Sequence, residues 1–179
     1  MPMPAPWQVE ARRTILADRW IRVHADRVRT NRGTLLDPFY VVEGWHWVCL
    51  VPWLPDGRVV CVEQYRHAAQ QVCLELPAGN IDAEEEPAAA ALRELTEETG
   101  YRACGPLVPL GTLWPEPARS TNRATGFAVP VDPFPGAAAP EDSEDLRLVL
   151  LTVDAVQTRL IHGVQLAFLQ RALPLLASP

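Results

Sequence analysis

No stretch of the 179 residues approaches the roughly 20 apolar side chains that a membrane-spanning helix requires. The opening MPMPAP has no basic cluster followed by an apolar run, so no secretory leader is expected and the chain reads as cytosolic. Cysteine is scarce. Cys49, Cys61, Cys73 and Cys104 stand singly, the first three inside apolar, strand-like runs, and lack the paired spacing of a structural zinc site. They read as small buried hydrophobes in a reducing compartment. Excess positive charge is missing too: the formal net charge is -6, and a nucleic-acid surface gains no support from it. No internal repeat or second catalytic motif is found. What remains is a chain that is 48% hydrophobic, long enough for one compact domain with a core.

The acids are concentrated in one place. Between Asp82 and Glu98 seven acids face one base, so the whole net charge falls in that segment and the remainder is formally neutral. The surrounding stretch, Gly79 to Tyr101, reads GNIDAEEEPAAAALRELTEETGY. Proline at 87, the alanine run behind it and Gly100 predict a helix over 87–99, entered from a loop and stopped by glycine. Residues three and four apart share a helical face, so Ala88, Ala91, Leu92 and Leu95 are expected to pack while Glu94, Glu97 and Glu98 form a carboxylate patch. Like charges at those spacings destabilise a helix by a few tenths of a kcal/mol per pair. Clustered carboxylates are hard oxygen ligands suited to Mg²⁺ or Mn²⁺. A solvated acidic helix face is the alternative on charge pattern alone.

The detailed pattern decides between them. Gly79, Glu85, Arg93, Glu94, Leu95, Glu97, Glu98 and Gly100 occupy the fixed positions of the Nudix box, and the stretch resembles that of the Nudix hydrolase family. Tyr101 stands where an aliphatic is usual, a departure that touches packing and not the carboxylates. The resemblance implies an α/β fold, an α/β/α sandwich with a mixed sheet, and a loop-helix-loop that holds divalent metal against a diphosphate.

Along the rest of the chain, the runs WQVEARRTIL, WIRVHADRVRT and PFYVVEG, with a turn at Asn31-Arg32-Gly33, predict a three-stranded N-terminal sheet. So few strands are marginal alone, so the sheet is expected to pack on the catalytic domain or on a second subunit. Residues 1–43 are therefore assigned to an N-terminal β extension and 44–179 to the catalytic domain. WHWVCLVPWL and RVVCVEQYR flank Pro55-Asp56-Gly57 and predict a hairpin. GPLVPLGTLW and ATGFAVPV read as strands around the loop PEPARSTNR, and DPFPGAAAPEDSED reads as a loop ahead of the strand LRLVLL. Two C-terminal helices follow, separated by His162-Gly163. Trp45, Trp47 and Trp53 are core or interface by default, and one of them, or Trp20, could stack a nucleobase.

EQYR before ELPAG, with Pro115 and Pro117 beyond the box, is similar to the branch of the family that acts on ADP-ribose and nucleoside diphosphate sugars. That resemblance implies hydrolysis of a nucleoside diphosphate sugar, ADP-ribose first and GDP-mannose second, with Mg²⁺ or Mn²⁺. It implies metal ligands at Glu94, Glu97, Glu98 and the Ala78 carbonyl, and support from Glu85 and Arg93. It implies substrate contacts at Arg66, Asn122 and Arg123. It also implies a general base or metal helper in the loop after the box, Glu144 before Glu141 and Asp142. A homodimer is expected through the N-terminal extension, with no nucleic acid and no membrane as partner. From a different class, a Nudix-fold sensor would bind a nucleotide sugar without cleaving it.

Overall fold

Glycine sets two of the reversals. Gly33 and Gly57 take φ of +81° and +82°, a region side chains with a Cβ rarely enter, so the chain turns at both places where the sequence expects it. The computed structural model describes residues 5–139 and 145–176. They divide into two compact units, Met1–Trp45 with Trp114–Arg123, and His46–Leu113 with Ala124–Pro179. The short segment Trp114–Arg123 thus leaves its sequence neighbours and joins the N-terminal strands.

In the first unit β1 (Gln8–Ala17), β2 (Arg22–Arg29) and β3 (Leu35–Glu43) form an antiparallel sheet in that order. The edge of β3 takes the added segment: Val42 N–H donates to the Arg119 carbonyl at 2.7 Å and Thr121 N–H to the Val42 carbonyl at 3.0 Å. Asp26 on β2 is buried, and Arg12 on β1 neutralises it through Nε and Nη2 at 2.8 and 2.7 Å. All ten residues of β1 are exposed.

The second unit is the layered α/β architecture expected. Its sheet runs β10 (Leu146–Leu151), β5 (Val59–Arg66), β4 (Trp47–Trp53), β9 (Ala124–Pro130), β8 (Val108–Leu113). Among the described strands only β4 and β9 pair in parallel, which makes the sheet mixed. One face packs on α1 (Pro87–Thr99) through Val48, Leu50, Val60, Ala90, Ala91 and Leu95. The other packs on α2 (Val153–Arg159) and α3 (Gly163–Leu176) through Cys49, Val51, Cys61, Phe168 and Leu169. Alternate strand residues supply the two faces, as a pleated sheet covered on both sides demands.

The expected β4–β5 hairpin closes at one pair only, Trp53 and Val59. Beyond it the two strands part, because their facing edges have other partners. β6 (Gln71–Glu75) pairs with β5, and β7 (Ala78–Asn80) pairs with β4. The chain therefore fills the gap as a wedge and crosses from one strand to the other at Leu76-Pro77. Cys104 also departs from expectation: Cys49, Cys61 and Cys73 are buried, but Cys104 is exposed. Burial pushes the Cys61 thiol up to about 12, which keeps it inert. Among the described residues no helix is long and apolar enough to cross a membrane.

Candidate active site

Helix α1 carries its acids at the wrong pole. Pro87 stands in its first turn and Gly100 closes it in the left-handed region, φ +71°, with its N–H on the Thr96 carbonyl at 2.9 Å. The first turn has no acid and the last turn no base. Glu97 and Glu98 instead occupy the last turn, where the partial negative charge of the helix end disfavours them. The packing face also differs from the expected one. Ala90, Ala91 and Leu95 are buried, whereas Ala88 and Leu92 face outward. The stripe that reaches the sheet is rotated toward the glutamates, so Glu94 and Glu98, four residues apart, are themselves buried at 8% and 3% exposure. Glu97 stays half-exposed at the rim.

The wedge meets this helix at its second half. Leu50 N–H donates to the Pro77 carbonyl at 2.9 Å and Ile81 N–H to the His46 carbonyl at 3.0 Å, so Ala78 falls at a non-bonded position of the β4–β7 ladder. Its amide and carbonyl then point away from β4. The amide meets Glu98, donating to Oε2 at 3.1 Å. Gly79 follows, and a Cβ there would lie inside the carboxylate of Glu94. With Glu94 in this position only glycine fits at 79, for reasons of space and not of backbone angle.

Arg93 binds the loop to the helix. Its Nε and Nη2 hold Glu85 at 3.0 and 2.9 Å, and Nη1 reaches Glu94 at 2.8 Å and Glu97 at 3.0 Å. Nη2 also donates to the Asn80 carbonyl at 3.0 Å. Glu85 is held below the usual carboxylate range by Arg93 first, then by the Asp82 amide. One guanidinium therefore ties β7, the entry loop and two of the helix carboxylates into a unit.

Arg66, at the end of β5, turns its fork onto buried Glu75, with Nε and Nη2 at 2.6 and 2.5 Å from the two carboxylate oxygens. Gln64 Nε2 approaches the same carboxylate at 3.4 Å. Asn122 and Arg123 lie in the first unit. Asn122 accepts from Ser120 Oγ at 2.8 Å, and the Arg123 guanidinium stands 5.7 Å from the centre of the Trp114 ring. Of the tryptophans, Trp47 and Trp53 pack on the core, while Trp20 and Trp45 are exposed. Glu141, Asp142 and Glu144 lie outside the described residues. Before them, Ala139 N–H donates to the Glu97 carbonyl at 2.9 Å, and after them Leu146 pairs opposite Gln64.

One contact to this corner escapes the sequence reading. Gln165 of α3, 1% exposed, accepts from Leu76 N–H at 2.9 Å and donates to the Leu76 carbonyl at 3.4 Å. The signal was a polar residue on the buried stripe that continues through Phe168, Leu169 and Ala172.

The donors present suit a hard divalent cation. Two buried carboxylates, a third at the rim and an outward-turned carbonyl offer oxygen alone, at a helix end whose own polarity adds negative charge. Among the described residues no three His, Cys, Asp or Glu side chains are grouped so as to hold a metal ion by themselves.

A family model described as NUDIX domain matches residues 45–171, and one described as nucleoside diphosphate sugar hydrolase N-terminal domain matches residues 7–42. The ADP-sugar pyrophosphatase of Mus musculus is 52% identical over 54 residues, 28% of this chain and 25% of that protein. The ADP-ribose pyrophosphatase of Bacillus subtilis is 46% identical over 48 residues, 27% of this chain and 26% of that protein. The methanol dehydrogenase activator of Bacillus methanolicus is 43% identical over 87 residues, 49% of this chain and 46% of that protein. The chain thus spans less than half the length of these relatives. A crystal structure of ADP compounds hydrolase shares the fold, with a TM-score of 0.84 at 18% identity over 98% of this chain and 97% of that one.

Proposed function

The chain belongs to the NUDIX domain family, and on that premise we propose that it hydrolyses the diphosphate of a nucleoside diphosphate sugar, ADP-ribose first, with Mg²⁺ or Mn²⁺. The products are a nucleoside monophosphate and a sugar phosphate. The observation that carries the reading is the buried Glu94 and Glu98 pair turned toward Ala78 and Gly79, oxygen donors gathered at one end of the helix. Glu94, Glu97, Glu98 and the Ala78 carbonyl would hold the metal, which when bound would offset the charge of the diphosphate and polarise its phosphorus. Arg93 keeps Glu94 and Glu97 oriented, and Glu85 keeps Arg93 in place. Glu144 takes the proton of the attacking water, a role supported by the tether of the preceding chain to the Glu97 carbonyl.

Arg66 contacts the diphosphate. Glu75 engages two of its five donors and fixes the plane of the guanidinium. Asn122 and Arg123 contact the nucleoside or sugar, and the Trp114 face beside Arg123 is a platform of the kind a base stacks on. Residues 1–43 form the dimerisation element and 44–179 the catalytic domain. The exposed edge strand β1, with Val9, Ile15 and Leu16 open to solvent, supports pairing with a second copy.

Phosphorus NMR in ¹⁸O-enriched water, with and without Mg²⁺, on ADP-ribose, GDP-mannose and UDP-glucose tests the reaction. Metal-dependent cleavage with label in one phosphate is expected, strongest for ADP-ribose. Tight binding without cleavage would assign a sensor instead. In the same assay Glu98→Gln, folded, is expected to lose about 10²–10³ in kcat, or ~3–4 kcal/mol of barrier lowering; near-normal turnover would remove the carboxylate from the mechanism.

A further inference from the structure

We propose that Gln165 is a positioning residue for the corner that presents the Ala78 carbonyl and Gly79 to the box glutamates. The proposal rests on the function proposed above. At the crossing from β6 to β7 the ladder partners run out: Glu75 is the last residue paired with β5 and Ala78 the first paired with β4. Leu76 is fully buried there, and a buried backbone N–H and C=O must find partners. The amide of Gln165 provides both, one acceptor and one donor, as a neighbouring strand residue would.

From that clasp the hydrogen bonds run outward in chain order. Pro77 gives its carbonyl to Leu50, Ala78 gives its amide to Glu98, and Gly79 lies against the Glu94 carboxylate. The Ala78 carbonyl is thus two residues from a fixed point. Gln165 is itself held. Phe168, Leu169 and Ala172 on its stripe are fully buried, a parallel bridge joins Leu160 to Leu74, and the His162 ring packs edge-on against Trp47 at 5.5 Å. The joint between α2 and α3 is therefore the back support of the corner. Residues that orient metal ligands without touching the metal typically govern affinity or activity by 10–100-fold.

Gln165→Met keeps the length and apolar bulk but removes both hydrogen bonds. In metal-free protein, amide hydrogen exchange should find Leu76 and Ala78 protected in the wild type, and both deprotected in the variant. Mn²⁺ affinity, read by electron paramagnetic resonance, should fall about tenfold. At saturating metal kcat should fall by about tenfold with KM for the nucleotide sugar changed by less than about twofold. A variant that melts earlier yet keeps Ala78 protection and Mn²⁺ affinity would reduce Gln165 to a core residue and overturn the proposal. Should Gln165→Met not fold, Gln165→Asn, an amide one methylene short of Leu76, must show the same losses, and wild-type behaviour of that variant overturns the proposal equally. So does a Leu76 amide in the wild type that exchanges as fast as the turn at Gly33. Because exchange and Mn²⁺ binding need no turnover, a wild type that hydrolyses no nucleotide sugar would sink the functional reading and leave the clasp standing.

Discussion

A methyl group at residue 79 would occupy the space of the Glu94 carboxylate. The obstacle is the end of a flexible side chain, not backbone, so the fold can absorb Gly79→Ala by swinging Glu94 away. The expected result is a folded variant with a melting temperature near wild type and a loss of about 10–100-fold in Mn²⁺ affinity and turnover; unchanged affinity would show that Glu94 is not a ligand. Which residues meet at this corner was legible to different degrees. Glu85, Arg93, Glu94, Glu98 and Gly79 announce themselves by spacing, since helix geometry and one arginine fork bring them together locally. The pairing of Arg66 with Glu75 was not legible, because it depends on β5 lying beside β6. Gln165 was harder still. Its partner is 89 residues away, and one polar side chain on an apolar stripe has many ordinary explanations.

Among the elements, the box helix was read to the residue, Pro87 through Thr99, because proline and glycine punctuate it chemically at both ends. Its orientation was not, and Ala88 and Leu92 face outward because tertiary contacts, not the helical repeat alone, choose which stripe is buried. Strand positions were likewise clear and strand partners were not: a Pro-Asp-Gly turn fixes a reversal but not how far the two arms stay paired. Three elements are joined by one carboxylate. Glu63 on β5 is buried and accepts from Arg147 of β10 and Arg159 of α2. Arg147 chiefly, then Arg159, holds its carboxyl below the ordinary 4.5, against the opposing effect of burial. In the unfolded chain Glu63 takes up a proton at the higher pH, so this contribution is full above about pH 5.5 and drains away as pH falls through the depressed value. The melting temperature should fall between pH 5 and 3 by a few degrees more in the wild type than in Glu63→Gln, whose midpoint is lower at neutral pH. Parallel curves for the two would remove Glu63 from the acid response.

At the scale of the molecule, large exposed hydrophobics are frequent on the N-terminal strands: Trp7, Val9, Ile15 and Leu16 on or beside β1, with Trp20 at the turn after it. The dimer proposed above would cover this edge, since an open strand edge with apolar side chains can pair with a second copy. Sedimentation equilibrium should find a dimer, and Ile15→Glu with Leu16→Glu should weaken it by about 100-fold or more. A wild-type chain that stays monomeric at high micromolar concentration would end the dimer reading.

The wedge of β6 and β7 bears on how the chain is made. Synthesis delivers the complete acidic motif early, but the residue that closes its corner emerges 89 positions after Leu76, and β4 gains its parallel neighbour β9 only in the interval. Contacts so far apart in sequence form late. A nascent or prematurely ended chain therefore carries every signature residue of the site and not its shape, and the motif alone, however well preserved, is no measure of whether a fragment can act.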